Sequence, residues 1–212
     1  MKRYISGISI ILLQTIVLFG QSDPEAVKIL DRFSSKALGA PALFMKFKLV
    51  NADLKENKKD TTGGSVLISK DKYRLDLDNN IVWSDGVTSW SYLIAEKEVT
   101  INKVDRKDNS IQNKPSEVLT MYRKGYKNRL VEDRTDTYII DLYPEDINSE
   151  LQRVRLSIGK SQLNLKTAEY KRKDGVVITL LLTEYNLNQK PDPDGYVFKS
   201  EKYKGVEIID MR

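Results

Sequence analysis

The sequence predicts a mainly β protein with helices, an α+β chain built on one large curved antiparallel sheet that carries an N-terminal helix and a short mid-chain helix. Three observations predict it. Apolar and charged residues alternate at period two through most of the chain, the tight-turn pairs Asp85-Gly86 and Asp174-Gly175 separate such segments, and helical spacing is confined to two places.

The first twenty residues carry Lys2 and Arg3, then an apolar run from Ile8 to Phe19 broken only by Ser9, Gln14 and Thr15. That run is too short for a bilayer core, which needs ~20 residues, and Gly20 suits a cleavage site, so residues 1–20 are expected to be a signal peptide. Residues 21–212 are then expected to form a single exported domain. The chain has no cysteine. It is therefore expected to carry no lipid anchor, disulfide or thiolate metal site. It also has no histidine, which leaves no imidazole base, no Ser/His pair and no usual zinc ligand. Without Lys2 and Arg3, 33 basic residues stand against 30 acidic ones, and no dense Lys/Arg run appears, so nucleic acid is not an expected partner.

Asp23-Pro24-Glu25 reads as a capped helix start, and Ala26, Val27, Ile29, Leu30, Phe33 and Ala37 form an apolar stripe before Gly39. Leu43, Met45, Phe47 and Leu49 begin the strands. A polar loop, 53–62, leads to Val66-Leu67-Ile68; Tyr73, Leu75 and Leu77 alternate with Arg74, Asp76 and Asp78; and Asp85-Gly86 turns Ile81–Ser84 into the strand that holds Trp90 and Tyr92. Val99 and Ile101 continue this meander, and residues 103–114 read as a polar connector. Pro115 opens the short helix, with Val118, Leu119, Met121 and Tyr122, and Gly125 closes it. Strands resume at Leu130, Tyr138–Leu142, Val154–Ile158 and Leu163–Tyr170. Val176–Leu182 is apolar on both faces, which marks a central strand. Tyr196 to Asp210 reads as a final strand and tail. About ten strands result, enough to curl with the apolar face inside and the two helices as its cover.

The order of these elements, with Val66-Leu67-Ile68-Ser69-Lys70, Tyr73–Leu77, Trp83-Ser84-Asp85-Gly86, Trp90-Ser91-Tyr92, Asp194-Gly195-Tyr196-Val197-Phe198 and Gly205–Asp210, resembles the LolA-type periplasmic outer-membrane lipoprotein carriers across essentially all of 21–212. The resemblance implies an unclosed half-barrel with helices as a lid over an acyl-chain cavity. It implies a monomeric carrier with no cofactor, no metal and no catalytic residue. Its partners would be acylated lipoproteins, an inner-membrane lipoprotein-releasing ABC transporter, and an outer-membrane acceptor or the membrane itself. On the same grounds Phe47, Leu49, Tyr73, Leu75, Leu77, Trp83, Trp90 and Tyr92 would face the acyl chains from the sheet, and Val27, Leu30, Phe33, Leu119 and Tyr122 from the lid. Read from alternation alone, each of these residues also fits ordinary core packing.

One departure stands out. The best-known branch of that family uses an Arg followed by Pro to hold its lid, where this chain has Ser69-Lys70-Asp71. Lys70 is the remaining candidate latch, and it lacks the planar fork of Arg, so the lid is expected to be looser or differently fastened. Three other readings stay open: a carrier or sensor of another acylated envelope lipid on the same fold, a carboxylate-dependent hydrolase using Asp76 and Asp78 or Glu145 and Asp146, and a purely structural β-protein with a filled core. Those acidic pairs also fit solvated surface charge, and the missing His and Cys weigh against catalysis.

Overall fold

A computed structural model describes residues 21–105, 113–192 and 195–212; the expected signal peptide, residues 1–20, and most of the connector at 103–114 lie outside the described residues. Helix α1, Pro24–Gly39, starts as its composition dictates: the Asp23 carboxylate accepts the Glu25 N–H at 2.9 Å and Pro24 occupies the first turn. Its apolar stripe, Ala26, Ile29, Leu30, Phe33 and Ala37, is buried, and Lys36 sits in the last turn.

The strands are β1 Leu43–Asp53, β2 Lys58–Ser69, β3 Lys72–Leu77, β4 Asn80–Ser84, β5 Thr88–Leu93, β6 Glu98–Lys103, β7 Tyr126–Asp133, β8 Thr137–Pro144, β9 Leu151–Gly159, β10 Asn164–Arg172, β11 Val176–Asn186 and β12 Glu207–Asp210. They form one unclosed sheet in the order β12-β6-β5-β4-β3-β2-β1-β11-β10-β9-β8-β7. Every pairing of these strands is antiparallel except β12 on β6. Most of the antiparallel pairs are neighbours in sequence joined by turns of two to four residues, which can only reverse a strand; β1 with β11 is the long-range antiparallel pair. At the β4–β5 turn Gly86 has φ 89°, a conformation that glycine adopts without Cβ strain. The apolar run of β11 is central as expected, seated between β1 and β10.

Several expectations are corrected. The sheet has twelve strands where about ten are expected, and two of them are longer than their hydrophobic period marks: β2 begins at Lys58, inside the stretch read as a polar loop, and β7 at Tyr126. The mid-chain helix is two 3-10 turns, Pro115–Leu119 and Met121–Arg123. Thr120, at φ −127°, breaks the helical path between them, and a segment this short takes its shape from packing rather than propensity. The C-terminal stretch is not one strand: Tyr196 and Phe198 lie in irregular chain, followed by a 3-10 turn at Ser200–Lys202 and by β12.

The apolar surface divides into two clusters on opposite faces of the sheet. The larger lies on the inner face, defined here as the side covered by α1 and the 3-10 turns. It unites Leu30 and Phe33 with Met45, Val66, Tyr73, Leu119, Ile140 and Leu156. The smaller, on the outer face of β4–β6, is Trp83, Val99 and Ile101 under Phe198, with Trp90, Tyr92 and Tyr203 beside them. The changeover occurs within β4: Val82 pairs with Leu75 and faces in, and Trp83 pairs with Arg74 and faces out.

Candidate functional site

Strand register gathers the inner-face residues. Met45 stands opposite Val66 and Tyr185, Phe47 opposite Gly64 and Leu182, and Leu49 opposite Thr62 and Leu180. Tyr73 stands opposite Ile68, Leu75 opposite Val66, and Leu77 opposite Gly64. Period two then fixes that Phe47, Leu49, Tyr73, Leu75 and Leu77 share one face. Gly64 makes part of that floor possible. A Cβ built there would lie 2.7 Å from the Phe47 ring and 2.8 Å from Leu77, so both side chains lean over the backbone that the glycine leaves bare.

The floor is not uniformly covered. Leu43, Met45, Val66 and Ile68 are buried together with α1, whereas Leu49, Leu77, Leu180 and Leu182 only partly are. An apolar surface therefore continues from the closed core along β1, β3 and β11. It ends at β4, because the inner positions of the next strands are polar, with Ser91 opposite Val82 and Thr100, and Ser89 opposite Ser84 and Asn102.

Of the expected lid residues, Leu30, Phe33, Leu119 and Tyr122 are buried against this floor and Val27 is half-buried. Trp83, Trp90 and Tyr92 are not on it. The structure puts them on the outer face, where Trp83 meets Phe198 at 5.6 Å and Tyr203 edge-on at 5.6 Å, and Tyr92 meets Tyr203 at 5.1 Å. The guanidinium of Arg74 stacks over Trp83 at 5.7 Å while it grips Asp76 through two nitrogens. These aromatics fasten the C-terminal segment to the sheet, which is a structural use. Alternation separates the two faces of a strand without telling which one a distant segment will cover.

Lys70 is exposed in the β2–β3 turn, at φ 55°. The groups that tie α1 down are elsewhere. Tyr122 Oη donates to Asp31 Oδ1 at 2.5 Å, Arg123 Nη2 donates to Ser34 Oγ at 3.1 Å, and Arg123 Nε donates to Tyr122 Oη at 3.1 Å. Burial, and then the bond to Asp31, raise the Tyr122 hydroxyl above its ordinary pKa, so it remains a donor at neutral pH. At the helix start Asp23 N–H donates to Asn128 O at 2.8 Å, and Leu130 N–H donates to the Asp23 carboxylate at 3.2 Å. At the far end Lys36 Nζ donates to Gln162 O at 2.6 Å. Sequence reading missed Asp31, Ser34, Arg123 and Asn128 because each looks like an ordinary surface polar residue until the 3-10 turn is set beside α1.

The Tyr122–Asp31 bond gives a direct prediction. Tyr122→Phe keeps the ring and removes the hydroxyl, losing both its bond to Asp31 and the one it accepts from Arg123, at about 1–2 kcal/mol together, so the α1 amides should exchange hydrogen about five- to thirty-fold faster. Unchanged exchange would show that apolar packing alone holds the helix.

A cleft of about 260 Å³ opens between the β2–β3 turn, the β4–β5 turn and Lys114-Ser116, and it reaches Ile68 and Tyr73 on the inner face. The acidic residues considered for hydrolysis lie apart from it. Asp76 is held by Arg74, Asp78 accepts the Gly63 N–H at 3.0 Å, and Asp146 accepts the Asn148 N–H at 2.8 Å. Among the described residues no group of three or more Asp or Glu side chains is arranged to hold a metal ion, and no helix is long and apolar enough to cross a membrane.

Comparison with known proteins gives this arrangement a family. Residues 41–199 match the family model described as outer membrane lipoprotein carrier protein LolA, which is three quarters of the chain. No curated protein sequence matches. Among solved structures, an uncharacterized conserved protein from Thermus thermophilus superposes with a TM-score of 0.59 at 12% identity, over 88% of this chain and 99% of that one. A LolA superfamily protein from Nitrosomonas europaea has a TM-score of 0.44 at 14% identity, over 83% and 98%. MucB of Pseudomonas aeruginosa, in its complex with MucA, has a TM-score of 0.39 at 12% identity, over 84% and 62%. At these identities the Thermus structure speaks for the fold alone. The family model, by contrast, spans the inner-face strands and the 3-10 turns together, and on that match the chain belongs to the LolA family of outer membrane lipoprotein carrier proteins.

Proposed function

We propose that this protein is an exported carrier that holds the acyl chains of lipoproteins against the inner face of its sheet and ferries them through the periplasm from the inner to the outer membrane. The observation that carries the reading is the half-covered apolar floor, with Leu49, Leu77, Leu180 and Leu182 continuing a core that α1 closes only in part. Such a surface is costly in water without an occupant. Hiding hydrocarbon yields ~0.8 kcal/mol per methylene, so one ~14-carbon chain supplies on the order of 10 kcal/mol. The hydrogen bonds that hold α1 are worth about 0.5–1.5 kcal/mol each. A chain that slides from the open floor beneath α1 can therefore offset their loss, and it keeps Leu30 and Phe33 covered as the helix lifts.

Donor and acceptor are those that membership of the LolA family implies. Cargo would arrive from a lipoprotein-releasing ABC transporter in the inner membrane and leave to an outer-membrane acceptor or to the membrane itself. The test is to isolate residues 21–212 from envelope extracts and identify what co-purifies by mass spectrometry, alongside titration with a fluorescent fatty-acid probe. Acylated peptides support lipoprotein carriage. Other acylated lipids would move the reading to a carrier or sensor of those lipids, and an empty protein that also fails to bind the probe would sink it.

A further inference from the structure

Tyr170 and Tyr185 both leave a buried hydroxyl without a partner on the apolar floor, and of the two Tyr170 is the one that interacts with groups lining a polar cleft, Tyr126 and Glu117. Tyr170 sits on β10 opposite Ile178 of β11 and Val154 of β9, which puts its ring on the inner face. The residue as a whole is half-buried, yet its hydroxyl is shut off from solvent and has no hydrogen-bond partner. A phenylalanine would fill the same space without that penalty, since an orphaned buried hydroxyl is a cost a fold normally avoids. The group calls for a ligand that brings an acceptor.

The surroundings say which acceptor. Burial pushes the Tyr170 hydroxyl far above its ordinary pKa, and the acidic groups of Tyr126 and Glu117 push it in the same direction, so it stays a protonated donor at any physiological pH. A carboxylate or phosphate brought to this point would lose its hydration in apolar surroundings and face Glu117 besides. A neutral carbonyl meets neither obstacle. Ala168, two positions from Tyr170, stands opposite Leu180, so the hydroxyl lies beside the half-covered floor where hydrocarbon would rest. Toward the other side, Tyr126, Glu117, Lys124 and Arg123 line a polar cleft in which a headgroup could remain hydrated.

Resting on the carrier reading above, we propose that Tyr170 donates a hydrogen bond to an acyl ester carbonyl of the cargo, so that the site recognises an esterified lipid and not hydrocarbon alone. Ligand is thereby fixed along the floor, with the acyl chain toward Leu180 and the glyceryl end toward Tyr126.

The experiment compares two probes of equal chain length and headgroup, a sixteen-carbon monoacylglycerol and its ether analogue, which lacks only the carbonyl, against the purified protein and Tyr170→Phe. The unaltered protein should bind the ester roughly five-fold more tightly, the yield of one neutral hydrogen bond. In Tyr170→Phe that preference should vanish with ether affinity unchanged, and the melting temperature should stay level or rise, because no bond within the fold is lost. Tyr185→Phe, an orphaned hydroxyl on the same face but opposite Met45, is the control and should keep the preference. Equal ester and ether binding in the unaltered protein, persistence of the preference in Tyr170→Phe, or a lower melting temperature for that variant would each overturn the assignment. Failure to bind either probe would sink the carrier reading, and this proposal with it.

Discussion

Asp141→Ala should cost about 2–3 kcal/mol of folding stability at neutral pH, read as a lower urea midpoint. Asp141 lies on the outer face of β8 and its side chain is 1% exposed. Arg155 Nε and Nη2 donate to its two oxygens at 2.7 and 2.8 Å, Tyr143 Oη donates at 3.1 Å, and Arg153 lies at 3.6 Å. Truncation leaves the Arg155 guanidinium facing a hole, while Arg153 loses its longer contact and keeps its ion pair with Glu169. The two arginine side chains are 33% and 19% exposed, so water relieves part of the loss, which holds the figure below the full cost of breaking a buried pair.

The same carboxylate sets a pH dependence. Burial alone would raise its pKa, but the bond from Arg155 and the charges of Arg153 and Arg155 outweigh that and hold it below the ordinary aspartate value. A depressed folded-state pKa stabilises the fold above the unfolded value, near ~4, and the contribution fades as pH falls through the folded value. The gap between the two proteins should therefore be full at pH 7 and shrink in acid. A gap that stays constant down to pH 2 would show that shape, not charge, is what Asp141 supplies.

That cluster was hard to see in the sequence because Arg153, Arg155 and Asp141 read as the solvated side of alternating strands. Alternation correctly separated Val154, Leu156 and Ile158 from them, and the hairpin signals at Asp85-Gly86 and Asp174-Gly175 set the local register. The N-terminal cap at Asp23 was equally legible. These features depend on neighbours a few residues away. What could not be read depends on segments that meet only in the fold. The outer face of β4–β6 is apolar because Phe198 and Tyr203, more than a hundred residues after Trp83, return to cover it, and β12 joins β6 in parallel by the same return. The sheet thus changes its apolar side within β4, and a rule that assigns every alternating aromatic to one interior misplaces Trp83, Trp90 and Tyr92. The tie from Tyr122 and Arg123 to α1 was hidden for a similar reason, since it joins residues about ninety positions apart.

The largest functional effect is expected at β11, where two adjacent leucines give a test that folding defects cannot imitate. Leu180 faces inward, opposite Leu49 and Ala168, and is half-buried; Leu181 faces outward, opposite Lys48 and Thr167, and is 42% exposed. A carboxylate at position 180 would lie in the path of an acyl chain and would have to lose water when the chain arrives, a cost of about 3 kcal/mol and so roughly a hundred-fold in affinity. Because the position is only half-buried, the unliganded fold should tolerate it at about 1 kcal/mol, far less than a core leucine would cost. Leu180→Asp should therefore lose acyl-probe binding while it melts near the parent temperature. Leu181→Asp, one residue along the same strand and equally charged, should bind as the parent does. Charge alone cannot account for such a difference, and neither can strand propensity, because the two variants share both. Equal losses at 180 and 181, or a loss at 181 alone, would mean that hydrocarbon does not lie on the helix-covered face of β11, and would remove the basis for reading this sheet as an acyl-chain carrier.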